Sequence, residues 1–147
     1  MKDILSEKLA VIGKKIICPA VAIIRDEKML IGLRNYTPEK FKKISLWTTP
    51  GGRCNEGETI EQALRRETAE ETGITKFEII DYLGDVPGAK EGDVVPCFIG
   101  MTVEEPRLME PEKFSEWKWC DLNEIPENFI NPPALELIKT RCKNKSM

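Results

Sequence analysis

The apolar residues of this chain come in short, dense blocks separated by turn residues, and that spacing restricts the fold more than any other feature. Residues 16–25 are rich in Ile, Val and Ala and predict a buried strand. Residues 28–33 predict its partner across the Asp26-Glu27 turn, so a hairpin is expected. Residues 45–49 predict a short strand halted by Pro50-Gly51-Gly52. Two more strands are expected at 77–83 and 94–103, joined by a Gly-, Pro- and Asp-containing loop over 84–93, and a short one at 117–120. The clearest helix pattern begins near Glu58-Thr59 and ends at Thr72, with Gly73 as its stop. Asn131-Pro132-Pro133 followed by Leu135, Leu137 and Ile138 predicts a closing helix, because proline is tolerated in a first turn. Strands bracketing helices in this order imply a mixed sheet with helices on its faces, an α/β or α+β layered fold.

A length of 147 residues suits one domain with a sizeable core, so residues 1–147 are expected to form a single domain. No apolar run approaches the roughly 20 residues that cross a bilayer, and the start lacks the basic flank and apolar stretch of a signal peptide. A cytoplasmic protein with no membrane partner is the expectation. The net charge of −3 gives no basic footprint, so a nucleic-acid polymer is not expected as a partner. Five cysteines without CxxC spacing predict reduced, structural thiols. The chain has no histidine, which excludes a Ser/His/Asp or Cys/His triad and every His-ligated zinc centre. Hydrolytic chemistry would have to run on carboxylates, lysines or a hard metal ion.

Carboxylates are concentrated in one place. Residues 53–73 hold six glutamates against three arginines. Glu67, Glu70 and Glu71 stand at i, i+3 and i+4, so on a helix they project from one face within reach of a common point. Like charges at that spacing repel, and a hard cation such as Mg²⁺ or Mn²⁺, which takes oxygen ligands, reverses the sign of the interaction. A solvated acidic face is the competing explanation for the glutamates alone. Gly51-Gly52 after Pro50 lets backbone approach a metal or phosphate closely, and Arg66 can orient a neighbouring carboxylate through paired hydrogen bonds.

Gly52, Glu58, Arg66-Glu67, Glu70-Glu71 and Gly73-Ile74 together resemble the Nudix box, GX5EX7REUXEEXGU with U aliphatic. All seven fixed positions match between Gly52 and Ile74. Thr68 departs from the pattern by occupying the first aliphatic position, where its hydroxyl needs a partner. The resemblance implies an α/β/α sandwich on a mixed sheet with the box as loop, helix and loop, and Mg²⁺ or Mn²⁺ as cofactor. It implies Glu67 and Glu71 as principal metal ligands, Glu70 as ligand or base, the Gly51 carbonyl as a further ligand, and Glu58 and Arg66 as supporting groups. In that family metals activate a water and neutralise the departing phosphate.

Beyond the box, Leu30-Ile31-Gly32-Leu33-Arg34 before the Gly-Gly turn, Glu110-Pro111-Glu112-Lys113 before Trp117-Lys118-Trp119, and the short connection 121–126 are similar to MutT-like nucleoside triphosphate pyrophosphatases, so the resemblance covers residues 17–140. That likeness implies a small nucleotide as substrate, most simply a (d)NTP cut to the monophosphate and pyrophosphate. Dinucleoside polyphosphates, nucleotide sugars and a non-catalytic nucleotide-sensing module stay open, as does a homodimer. Candidate substrate-binding residues are Arg34, Gly52, Arg53 and Asn131. Lys40 could also meet a triphosphate tail, with surface solvation as its alternative, while Asn131 is either a base reader or the N-cap of the closing helix. Glu110 or Glu112 could add a late ligand. Trp117 and Trp119 are expected to place at most one ring on a given side of their strand.

Overall fold

The computed structural model describes residues 3–35 and 46–145. Lys40 lies outside the described residues, as does Ser45 at the start of the strand expected over 45–49. The described elements are α1 (Ile4–Leu9), β1 (Ala20–Arg25), β2 (Lys28–Arg34), β3 (Leu46–Thr48), α2 (Ile60–Thr72), β4 (Glu78–Pro87), β5 (Val94–Met101), β6 (Phe114–Asp121) and α3 (Pro132–Lys145).

The expected hairpin joins β1 to β2. Asp26 and Glu27 both take positive φ, 51° and 63°, the pairing of a tight turn whose twist matches its strands. Only Ile24↔Met29 and Arg25↔Lys28 pair before the two strands part. β1 then runs parallel to β5, from Ala20↔Cys97 to Ile23↔Gly100, while β2 pairs antiparallel with β6 and β3. The result is one mixed sheet, β3-β2-β1-β5-β4, with β6 on β2. Parting after two residue pairs opens the sheet at the end of β1 nearest Ala20, and Gly51 bridges to Ala20 there.

Helices cover both faces. Ile60, Ala63 and Leu64 of α2 pack with Val21, Ile23, Leu30 and Phe98. Ile138 of α3 joins Ala22, Met29, Ile31 and Ile99 on the opposite face, and Arg141 is ion-paired with Asp81 of β4. The mixed sheet with helices on both faces is the layered arrangement expected from the sequence.

Four local expectations need correction. β1 starts at Ala20, because residues 16–18 run beside Val94 by isolated backbone bonds instead of a continuous ladder. β4 continues through Gly84 to Pro87: it is an edge strand, where a terminal proline is tolerated, and Gly84 sits where the register with β5 shifts. β6 begins at Phe114, three residues early, and its exposed Ser115 and Glu116 conceal the strand in the sequence. Trp117 and Trp119 both pack on the α2 face, since a period of two places residues i and i+2 on the same side.

Candidate active site

The box helix is set at both ends by its own sequence. Thr59 caps α2, accepting from Gln62 N at 3.1 Å while the Gln62 side chain accepts from Thr59 N at 2.9 Å. Gly73 ends it in the left-handed conformation, φ 76°, and donates to Ala69 O. Between these ends the buried stripe changes character. Ile60, Ala63 and Leu64 are apolar, but one and two turns later the buried positions are Thr68, Glu71 and Thr72. A carboxylate therefore occupies a core position, directed at the turn Pro50-Gly51-Gly52.

Glu71 is 6% exposed, and its Oε1 accepts from Gly51 N at 3.1 Å. Burial pushes its carboxyl up to about 8; the Gly51 amide and Arg34 oppose this, while Glu67 and Glu110 add to it. Glu67 is half-buried beside the same turn. A Cβ on Gly52 would come within 2.4–2.8 Å of its carboxylate, so any side chain there would push Glu67 from this position. Burial raises Glu67 as well, against the pull of Arg66.

Arg66 organises the remaining carboxylates. Its fork takes Glu58 through Nε at 2.7 Å and Nη2 at 3.0 Å. Nη1 reaches Glu67 at 3.1 Å and Glu70 at 3.3 Å, and Nη2 also donates to the Arg53 carbonyl at 3.0 Å. Arg66 and Glu58 each reinforce the charged form of the other. Glu70 stays at the rim, its side chain 48% exposed.

Glu67, Glu70 and Glu71 do not all share one partner. Glu67 and Glu70 share Arg66 and Glu71 turns to Gly51, because repulsion separates them and these are the nearby donors. Among the described residues no group of three acidic or cysteine side chains stands ready to hold an ion. The donor set nevertheless suits a hard divalent cation. Glu67 and Glu71 supply carboxylate oxygens, both biased against ionisation by burial, and Glu110 adds a third negative charge felt by Glu71.

The other sequence candidates are placed as follows. Arg34 acts electrostatically on Glu71 and lies with its guanidinium 5.9 Å from the Phe114 ring. Arg53 has its guanidinium on Asp93 and the Lys15 carbonyl. Asn131 accepts from Ala134 N at 3.2 Å and donates to the Pro87 carbonyl at 3.0 Å, which is an N-cap and a tie to β4. Trp119 is committed to Glu105 and stacked by Arg25. Of the two late acids, only Glu110 acts on Glu71; it is 3.7 Å from Lys113. Sequence reasoning missed Asp93, and its only signal was an acid closing a Gly-rich turn.

Thr68 is fully buried, and its Oγ1 has no hydrogen-bond partner. Thr68→Val, which keeps the shape and removes the orphan hydroxyl, is expected to stabilise the protein by about 1 kcal/mol in urea denaturation.

A family model described as the NUDIX domain matches residues 18–140. The chain belongs to the Nudix hydrolase family, enzymes that act on phosphoanhydride bonds and generally use divalent metal ions. It is 32% identical over 111 residues to an NAD-capped RNA hydrolase NudC of Mannheimia succiniciproducens, covering 74% of this chain and 41% of that protein. It is also 32% identical over 139 residues to an RNA pyrophosphohydrolase of Bartonella clarridgeiae, covering 78% and 80%. The chain thus spans about two fifths of the NudC relative and most of the second. Among solved structures, a MutT NUDIX hydrolase from Burkholderia pseudomallei superposes with a TM-score of 0.66 at 28% identity, covering 83% of this chain and 96% of that one. A Caenorhabditis elegans Ap4A hydrolase, TM-score 0.71 over 88% and 98% of the two chains at 22% identity, shares the fold. No helix among the described residues is long and apolar enough to cross a membrane.

Proposed function

We propose that this Nudix hydrolase binds Mg²⁺ or Mn²⁺ through Glu67 and Glu71, with Glu70 and the Gly51 carbonyl assisting, and cuts a nucleoside triphosphate to the monophosphate and pyrophosphate. The observation that supports the site most directly is a buried carboxylate, Glu71, facing a glycine turn against whose other residue, Gly52, the Glu67 carboxylate packs. A divalent cation held there supplies polarisation of a phosphoryl oxygen and neutralises charge on the departing phosphate. Arg66 holds Glu58, Glu67 and Glu70 in register, so the carboxylates meet their ligand already oriented. Glu70, the exposed member, is the carboxylate open to solvent and able to take a proton from an attacking water. Arg34 supplies a positive charge toward the phosphates.

A second reading is favoured by the relatives named for NAD-capped RNA and RNA pyrophosphate substrates. In it the scissile phosphoanhydride lies in a dinucleotide or at the 5′ end of an RNA. The net charge of −3, which gives no basic footprint for a nucleic-acid polymer, does not bar an enzyme that recognises only an RNA end. Product analysis decides between the readings, with ATP, GTP, their deoxy forms, NAD, a diadenosine polyphosphate and a 5′-triphosphorylated oligoribonucleotide offered in parallel with Mg²⁺. Highest kcat/KM on a free triphosphate, with pyrophosphate released, supports the first reading. Preference for NAD or the oligoribonucleotide supports the second, and no hydrolysis of any substrate contradicts both.

Asn131 uses both ends of its amide within the fold, which argues for the cap over base reading. Asn131→Ala is expected to lower stability by about 1 kcal/mol and to leave the ranking among bases unmoved. A changed base ranking in that variant would restore the base-reading role.

A further inference from the structure

The Arg53 side chain stays 42% exposed, but its guanidinium is tied down on both sides. Nη1 and Nη2 hold Asp93 at 3.0 and 2.6 Å, and Nη1 also donates to the Lys15 carbonyl at 2.9 Å. Asp93 is buried at 8% exposure, and a Cβ on Gly88 would stand 2.6 Å from the Asp93 Cβ, so the turn between β4 and β5 is built closely around it. Arg53 thereby joins three segments: the lead-in to β1, the box loop, and the β4–β5 turn.

The same residue lies at the end of the backbone that meets the carboxylates. Gly51 N holds Glu71, Gly52 lies against Glu67, and the Arg53 carbonyl accepts from Arg66, which holds Glu67. Backbone bonds from Gly52 N to Pro19 O and from Cys54 N to Ile17 O keep the neighbouring residues on the β1 lead-in. The only side chain of residues 51–53 long enough to fix this strip from the far side is Arg53, and its partner is Asp93.

We infer that Asp93 is a positioning residue for the carboxylate site: through the Arg53 clamp it sets where the strip 51–53 meets Glu67 and Glu71, and hence how well these residues hold a divalent cation. Arg53, a candidate substrate-binding residue, thereby has an ion-pair partner outside the box. The inference rests on the reading of Glu67 and Glu71 as metal-holding groups.

The test is Mn²⁺ binding without nucleotide, read from the free-ion electron paramagnetic resonance signal, with thermal melts to establish that each variant is folded. Asp93→Asn and Arg53→Ala are each expected to weaken Mn²⁺ by about tenfold and to lower kcat similarly, with KM for the nucleotide nearly unchanged. The double variant should be no worse than either single one, because both remove the same link. Arg53→Lys, which keeps the charge and loses the fork, should fall between wild type and Arg53→Ala. Wild-type Mn²⁺ affinity in folded Asp93→Asn would overturn the inference, as would a KM rise confined to Arg53→Ala, which would mark Arg53 as a direct phosphate ligand. Glu67→Gln in the same titration separates the two levels. If it loses Mn²⁺ while Asp93→Asn keeps it, the clamp inference alone fails; if it binds like wild type, the metal-holding reading fails with it.

Discussion

Glu67→Gln is expected to lower turnover by at least about a hundredfold, the several kcal/mol lost when stabilisation of transition-state charge by a metal is weakened. The substitution keeps size and helix propensity and removes one negative charge. Its setting makes this more than a surface change: the Glu67 carboxylate is enclosed by the Gly52 backbone on one side and Arg66 on the other. Glu61→Gln is the matching control. Glu61 lies on the same helix, but its carboxylate bonds Arg65 at 2.8 Å, an exposed i, i+4 pair worth only a few tenths of a kcal/mol. Assayed at saturating Mg²⁺ on one substrate, the control should retain wild-type turnover, and equal rates for the two variants would remove Glu67 from the site.

Glu71 predicts an effect on stability as large as the one on rate. Its carboxyl is held at about 8 in the fold, against an ordinary 4.5. Below pH 4.5 folded and unfolded chains are both protonated there, so the group contributes nothing to the pH dependence. As pH rises from 4.5 to 8 the unfolded chain releases its proton and the folded one does not, so stability falls through that window. Above about 8 the full loss is in place, on the order of 5 kcal/mol. In excess chelator, the urea stability of the wild type should therefore fall steadily between pH 5 and pH 8. Glu71→Gln should flatten that slope and be the more stable protein at pH 8, while losing activity. A wild type that gains stability across the same window, or a variant with the same slope, would show that Glu71 ionises freely in the folded protein.

Much of this arrangement is legible in the sequence, for local reasons. Asp26-Glu27 between apolar blocks marks the hairpin, Thr59 and Gln62 mark the start of α2, and Gly73 marks its end, each through chemistry confined to a few residues. The box spacing identifies the glutamates because helical periodicity alone brings 67, 70 and 71 to one side. What the sequence hides depends on distant partners. The parallel pairing of β1 with β5 joins residues some 77 positions apart, and nothing in either segment names the other. Gly84 and Pro87 look like loop residues until an edge strand and a register shift give them a place. Helix α1 was not anticipated because it is one and a half turns long with no fully buried residue; Asp3 caps it, and only Leu5 and Leu9 touch the core. Within the site, spacing implied a common point for three carboxylates, whereas Arg66 and the Gly51 amide divide them. Arg53 is a substrate-binding candidate by its place in the box loop, and only the fold reveals Asp93 forty residues away as its ion-pair partner.

Wild-type turnover followed through chelation and metal return shows whether a carboxylate site on α2 and the glycine turn hydrolyses a phosphoanhydride with a divalent cation. The described fold offers Glu67, Glu71 and Glu110 around the site and the chain has no histidine to replace a metal, so hydrolysis should fall to background in excess EDTA and recover when Mg²⁺ or Mn²⁺ is restored. Undiminished turnover in excess EDTA would rule out a divalent cation at this site.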